Sequence, residues 1–287
     1  MSKERNTLLD WLRALAIIMI VTVHTWSLAH IDSEAHPTLT LCYRLFHWWG
    51  VPLFVMISGA LQLSSPISSI TQYYKKRYIR ILVPFFIWSL VVYAISCFVG
   101  KYAEINTIWD ALRFYLPYLL TNRINEAYWF MGLIVVLYGL TPFLQRALAP
   151  CSRRGLAVIC LCWLCFLIAK EFFPSLYLLQ YTSRLTYFLG YYILGYVMYR
   201  EWGRVWQPKA NRVVEAVSGS SFMIYLMHMI FITPLYMLLG FDGAVAPLWQ
   251  CILLPITVTI IVVALCTVIA VILKRLMPTT HTYLGIN

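Results

Sequence analysis

Charge is scarce in this chain. Only 11% of its 287 residues are Asp, Glu, Lys or Arg, and 11 acidic residues stand against 22 basic ones. Soluble domains carry about 25% charged residues, so a water-soluble globular fold is excluded. The carboxylates are scattered, which leaves no multi-carboxylate relay of the kind ion transporters use. Cysteine occurs without metal-ligand spacing: Cys160, Cys162 and Cys165 share one apolar run, AVICLCWLCFLIA, and read as small hydrophobes, so no metal is expected. G-x-S-x-G, H-E-x-x-H and Walker sequences are all missing. So are internal repeats and low-complexity linkers. No stretch between apolar runs exceeds about 25 residues, too little for a second domain. Residues 1–287 read as one domain.

Apolar sequence is what the chain has in quantity. It is 61% hydrophobic, with a mean hydropathy of +0.75. The runs are continuous and near the ~20 residues that cross a bilayer as a helix, not the alternating ~10-residue segments of a β-barrel. The expected fold is an all-α, polytopic transmembrane bundle of about eight spans, at 8–28, 47–64, 80–99, 127–145, 156–173, 184–200, 218–239 and 248–273. The first run carries Arg13 and no small-residue cleavage site, so it reads as a retained span rather than a signal peptide. Two further segments are amphipathic: Ile67–Tyr78, expected to lie on the inner surface, and Thr107–Thr121, expected on the outer one. Tryptophans at span ends, including Trp48, Trp88, Trp202 and Trp206, form an interfacial belt.

The net charge of +11 is a topology signal. With Lys3 and Arg5 inside, the inner loops also receive Lys75, Lys76, Arg77, Arg80, Arg146, Arg153, Arg154, Arg204 and Lys274, among others; the outer loops receive Arg44, Lys101, Arg113 and Arg123. The asymmetry places both termini in the cytoplasm, with basic loops against anionic membrane lipids. Nucleic acid is not an expected partner, because the cations sit in short loops between spans, and no pattern fixes an oligomeric state.

Two ionisable groups stand inside the first span, LLDWLRALAIIMIVTVHTWSL: Arg13 and His24. Such groups are costly in lipid and mark functional sites by default. Eleven residues at about 100° each make three turns, so both project from one face, about 16 Å apart along the axis. A neutral imidazole there is suited to take a proton from a hydroxyl and return it to a leaving group. Asp10 lies three residues before Arg13, within pairing distance. Arg77 and Arg80, beside Lys76, share a helix face and suit phosphate groups, or serve as an ordinary positive anchor. Ser58–Ala60 offer small residues for close helix packing. Tyr225 and His228 stand three apart in a late span, and Trp129 sits at a span end, either lining a cavity or joining the aromatic belt.

These motifs together resemble the acyltransferase-3 family of transmembrane acyltransferases. Arg13 and His24 repeat its R-x10-H signature. VPLFVMISGALQ (Val51–Gln62) is similar to its second-helix pattern, and Arg77, Arg80 and Pro84 to its R-x-x-R-I-x-P element. Trp129, Phe130, Tyr138 and Pro142 resemble the W-F…Y…P span, and SSFMIYLMH resembles the S-x-x-IY-x-x-H helix. The pattern is most similar to short, single-module members such as enterobacterial-common-antigen O-acetyltransferases. The resemblance implies a multi-pass protein of the bacterial inner membrane. It would move an acyl group, expected to be acetyl, from cytoplasmic acetyl-CoA to a hydroxyl of a cell-surface glycan or its lipid-linked precursor. It implies His24 as base or transient acyl carrier, and Arg13 as a group that organises the site or holds the donor. Arg77 and Arg80, with Lys76 beside them, would hold the CoA phosphates; Asp10, Ser58, Trp129, Tyr225 and His228 are the candidates to line a substrate cavity. Members usually have about ten spans, and here a helix pair between 200 and 214 is missing. A glycan exporter, flippase-like or scaffolding protein without catalysis is the alternative.

Overall fold

The computed structural model describes residues 6–173, 184–203 and 207–286; Lys3, Arg5, Arg204 and Trp206 lie outside these, as does the side chain of Trp48. Among the described residues the chain is all helical. Its α-helices are α1 (Thr7–Leu28), α2 (Pro37–Leu63), α3 (Ile70–Phe98), α4 (Ile108–Leu120), α5 (Trp129–Leu148), α6 (Arg153–Phe172), α7 (Arg184–Trp202), α8 (Arg212–Leu239) and α9 (Leu248–Leu276). Six of them, α1, α2, α3, α5, α8 and α9, are long and apolar enough to cross a membrane.

Helix starts follow side-chain chemistry. Asn6, Ser69, Ser152 and Asn211 each accept a hydrogen bond from a backbone N–H of the first turn, and Thr107 with Asp110 forms a capping box. Two boundaries differ from the sequence reading by ten residues, and α8 starts six residues early, at Arg212 behind its Asn211 cap. α2 begins ten residues early because Pro37 sits in its first turn, where the missing N–H costs nothing. The inner amphipathic segment is not a separate helix: α3 runs unbroken from Ile70 through Pro84. α4 is a separate amphipathic helix, and its exposed face carries Ile108, Trp109, Leu112, Leu116 and Leu120 together with Arg113.

Apart from the short surface helix α4, successive helices alternate in direction. The start of α1 touches the loop after α7: Asn6 donates to the Gly203 carbonyl, Thr7 to Gln207, and the Trp11 indole to the Lys209 carbonyl. At the opposite end the Gly243 N–H donates to the Ala29 carbonyl. Arg153 and Glu201 pair at 3.4 Å, placing the start of α6 beside the end of α7. We call the end holding Arg13, Arg77, Arg153 and Lys209 the basic end.

Apolar helices in lipid gain little from hydrophobic contact with one another, so close packing and interhelical hydrogen bonds hold such a bundle. Thr25 and Thr259 bond at 2.9 Å across α1 and α9, and Thr141 and Tyr192 at 2.8 Å across α5 and α7. Pro142 removes the N–H that would bind the Tyr138 carbonyl. The Tyr73 hydroxyl from α3 donates there at 3.5 Å, and Tyr74 donates to the Gly139 carbonyl at 2.8 Å. The turn that leads into α5 and helix α8 lock reciprocally: Tyr225 donates to the Ala127 carbonyl and Tyr128 to the Leu226 carbonyl. After α9 the chain folds back on itself. Residues 281–286 pack between α3 and α8, with the Trp88 indole donating to the Leu284 carbonyl at 3.1 Å.

Candidate functional site

α1 and α8 run parallel, and two polar rungs join them. The lower rung is near the basic end. Buried Asp10 accepts from the Ser218 hydroxyl at 2.7 Å, Arg13 pairs with Asp10 at 3.7 Å, and the Arg13 guanidinium donates to Ser218 at 3.4 Å. The upper rung is His24 against His228, with ring centroids 4.9 Å apart. The rungs are eleven residues apart on α1 and ten on α8, about 15–16 Å on either helix at 1.5 Å per residue. The shared face expected for Arg13 and His24 is therefore the face toward α8.

The upper rung has a defined polarity. The His228 Nδ1 lies 2.8 Å from the Tyr225 carbonyl and 3.1 Å from the Ile224 carbonyl. Carbonyls only accept, so Nδ1 carries the hydrogen and Nε2 carries the lone pair. That Nε2 is fully buried and has no hydrogen-bond partner. His24 itself is half-buried.

A cavity of about 330 Å³ lies beside the lower rung. Its basic end is lined by Arg13, Arg77 and Arg80. Ile20, Phe54, Ser58, Phe130 and Tyr225 line it further in, with Thr282 and Gly285 from the folded-back segment. Ile20 is one helical turn before His24, so the cavity ends one turn short of the histidine pair. Gln62 also lines it; the side chain is buried, and its Oε1 has no partner.

The structure thus brings Arg13, Arg77, Arg80, Ser58 and Tyr225 into one cavity, with His24 and His228 beyond its deep end. It does not bring the remaining candidates there. Lys76 is exposed and does not line the cavity. Trp129 packs outward on α7, with the Arg184 guanidinium 5.0 Å from its ring and Phe188 at 5.7 Å. Asp10 is not in the cavity wall but steadies Arg13 from behind. Gln62, Tyr138 and the folded-back residues have no cavity role that sequence alone would assign. Gln62 and Tyr138 do lie within the motif segments quoted above, whereas nothing local signals that residues 281–286 turn inward. Among the described residues no group of three His, Cys, Asp or Glu is placed to hold a metal ion.

No curated protein and no solved structure matches the chain. A family model described as "Acyltransferase domain" matches residues 6–205, which include α1 with both Arg13 and His24 and the Arg77–Arg80 pair.

Proposed function

The chain belongs to the acyltransferase-3 family of membrane acyltransferases, and from that premise we propose that it transfers an acetyl group from cytoplasmic acetyl-CoA to a hydroxyl of a glycan or its lipid-linked precursor, in a bacterial inner membrane. The observation that carries this reading is a cavity with three arginines at its basic end and the His24–His228 pair one turn beyond its deep end. At about 330 Å³ the cavity is at the small end of the ~300–1,000 Å³ of ligand sites. It suits an acylated pantetheine arm, while the nucleotide and its phosphates stay on the basic surface. Arg77 and Arg80 offer those phosphates planar, bidentate donors. Asp10 and Ser218 fix the Arg13 guanidinium at the cavity wall. His24 takes the proton of the acceptor hydroxyl as its oxygen attacks the thioester carbon. The C–S bond breaks, and the proton then passes to the departing thiolate. Acyl transfer through His24 itself uses the same nitrogen as nucleophile.

Purified protein in nanodiscs tests this directly. Wild type is expected to bind acetyl-CoA and release CoA. The Arg77→Ala/Arg80→Ala variant is expected to bind acetyl-CoA about 10- to 100-fold more weakly, the scale of one or two lost hydrogen bonds to charged groups. Its affinity for acetyl-pantetheine, which lacks phosphates, should be unchanged. Equal weakening for both ligands removes the phosphate role. Wild type that neither binds acetyl-CoA nor releases CoA overturns the enzyme reading and favours the exporter.

Gln62 gives a second check. Its unpartnered oxygen is suited to accept an amide N–H of the pantetheine arm. Gln62→Leu is expected to leave thermal stability equal or slightly raised, because a buried unpaired oxygen is removed. Affinity for acetyl-CoA and acetyl-pantetheine should fall together in a titration.

A further inference from the structure

We infer that His228 is a positioning residue: its Nε2 accepts the ring N–H of His24 and holds the other His24 nitrogen as the lone pair that does the chemistry. This rests on the reading of His24 given above. The geometry behind it is independent of that reading. Two backbone carbonyls, of Tyr225 and Ile224, fix the hydrogen of His228 on Nδ1, leaving Nε2 as an acceptor. Nε2 is buried, has no partner, and belongs to a ring whose centroid is 4.9 Å from that of His24. A buried acceptor without a donor is costly. His24 is the imidazole beside it, the two rings tilted 45° to each other. Parallel packing of α1 and α8, pinned by the Asp10–Arg13–Ser218 rung three turns away, keeps the two rings at one level.

The consequence for catalysis is a chosen tautomer. An unconstrained imidazole divides its hydrogen between two nitrogens, and only one arrangement leaves a lone pair facing the reacting atoms. With His228 accepting from one nitrogen, the other is always the base. When that base takes the acceptor's proton, His24 becomes an imidazolium whose second N–H stays on the His228 Nε2. The proton then goes to the leaving thiolate, and both histidines return neutral. This is the logic by which a third group orients the base of a catalytic triad.

The test uses the full chain in nanodiscs and two readouts. In turnover, His228→Ala is expected to lose about 10- to 100-fold, the scale on which an orienting partner acts, with acetyl-CoA affinity unchanged. His228→Gln, whose side-chain oxygen reaches the same place but takes no proton, is expected to restore most of the loss. In ¹⁵N spectra of histidine-labelled protein, with His24 identified by its absence in His24→Gln, wild type is expected to show one pyrrole-like and one pyridine-like nitrogen for His24. His228→Ala should shift both signals away from that pattern, and His228→Gln should restore it. Averaged His24 signals in wild type, or signals unchanged in His228→Ala, overturn the inference even if no acyl transfer is found. Turnover as low in His228→Gln as in His228→Ala overturns it too, and makes His228 a proton-carrying group.

Discussion

His24→Ala is expected to release CoA from acetyl-CoA about 10³-fold more slowly than wild type, within the ~10²–10⁴-fold range of a positioned acid–base group. The loss should fall on turnover, because acetyl-CoA would be held by Arg77 and Arg80 at the basic end of the cavity, whereas His24 is not among the residues that line it. The fold should survive. α1 is packed through Ala14, Ala16, Ile17 and Val21, all buried, whereas His24 is half-exposed and its removal leaves these contacts intact. The check is CoA release and donor affinity measured on the same preparation, with thermal unfolding as a control. A variant that transfers at the wild-type rate removes His24 from the chemistry. One that loses donor binding as well as turnover makes it a binding residue.

The polar face of α1 was legible because helical geometry is local. Eleven residues are three turns wherever the helix packs, so the register of Arg13 and His24 needed no knowledge of the fold. The same applies to Arg77 and Arg80, three residues apart, and to the amphipathic α4. The partners were not legible. Ser218 and His228 stand 205 and 204 residues away in sequence from Arg13 and His24, and nothing local says that α8 lies against α1. Trp129 shows the converse. At the end of a span its side chain can face either the cavity or a neighbouring helix, and Arg184 and Phe188 on α7 decide the matter. The continuity of α3 was hidden for another reason. Its polar first turns read as an interfacial helix, but a helix changes environment along its length without breaking. The inward fold of residues 281–286 depends on Trp88 and Phe222, both distant in sequence, so a short tail gave no sign of it.

Gly59→Ala and Gly195→Ala are each expected to prevent assembly of the bundle. These glycines form the crossing of α2 and α7. A Cβ on Gly59 would stand 1.8 Å from the Tyr192 carbonyl oxygen, and a Cβ on Gly195 would stand 2.0 Å from the Met56 carbonyl oxygen. The two contacts are in one antiparallel register, three residues apart on each helix, as the small residues of a close interface require. Both obstacles are backbone, so no rotamer change relieves them. Tyr192 is further held by its 2.8 Å hydrogen bond to Thr141. The helices must part, and the cost should exceed the ~1–3 kcal/mol of ordinary overpacking. The check is the yield of monodisperse protein and its unfolding temperature in nanodiscs, with Gly132→Ala as the control. That glycine lies inside α5, and a methyl group added to it would meet no atom within 4 Å, so alanine there should be neutral or stabilising by up to about 1 kcal/mol. Equal stability of all three variants would mean that α2 and α7 do not cross at these glycines. The crossing also matters to the site. Ser58 and Gln62 flank Gly59 on α2 and face the cavity, so the separation that relieves the clash also moves the cavity wall relative to Arg13 and Arg77. Any residual folded protein from these variants should therefore bind acetyl-CoA weakly as well as unfold early.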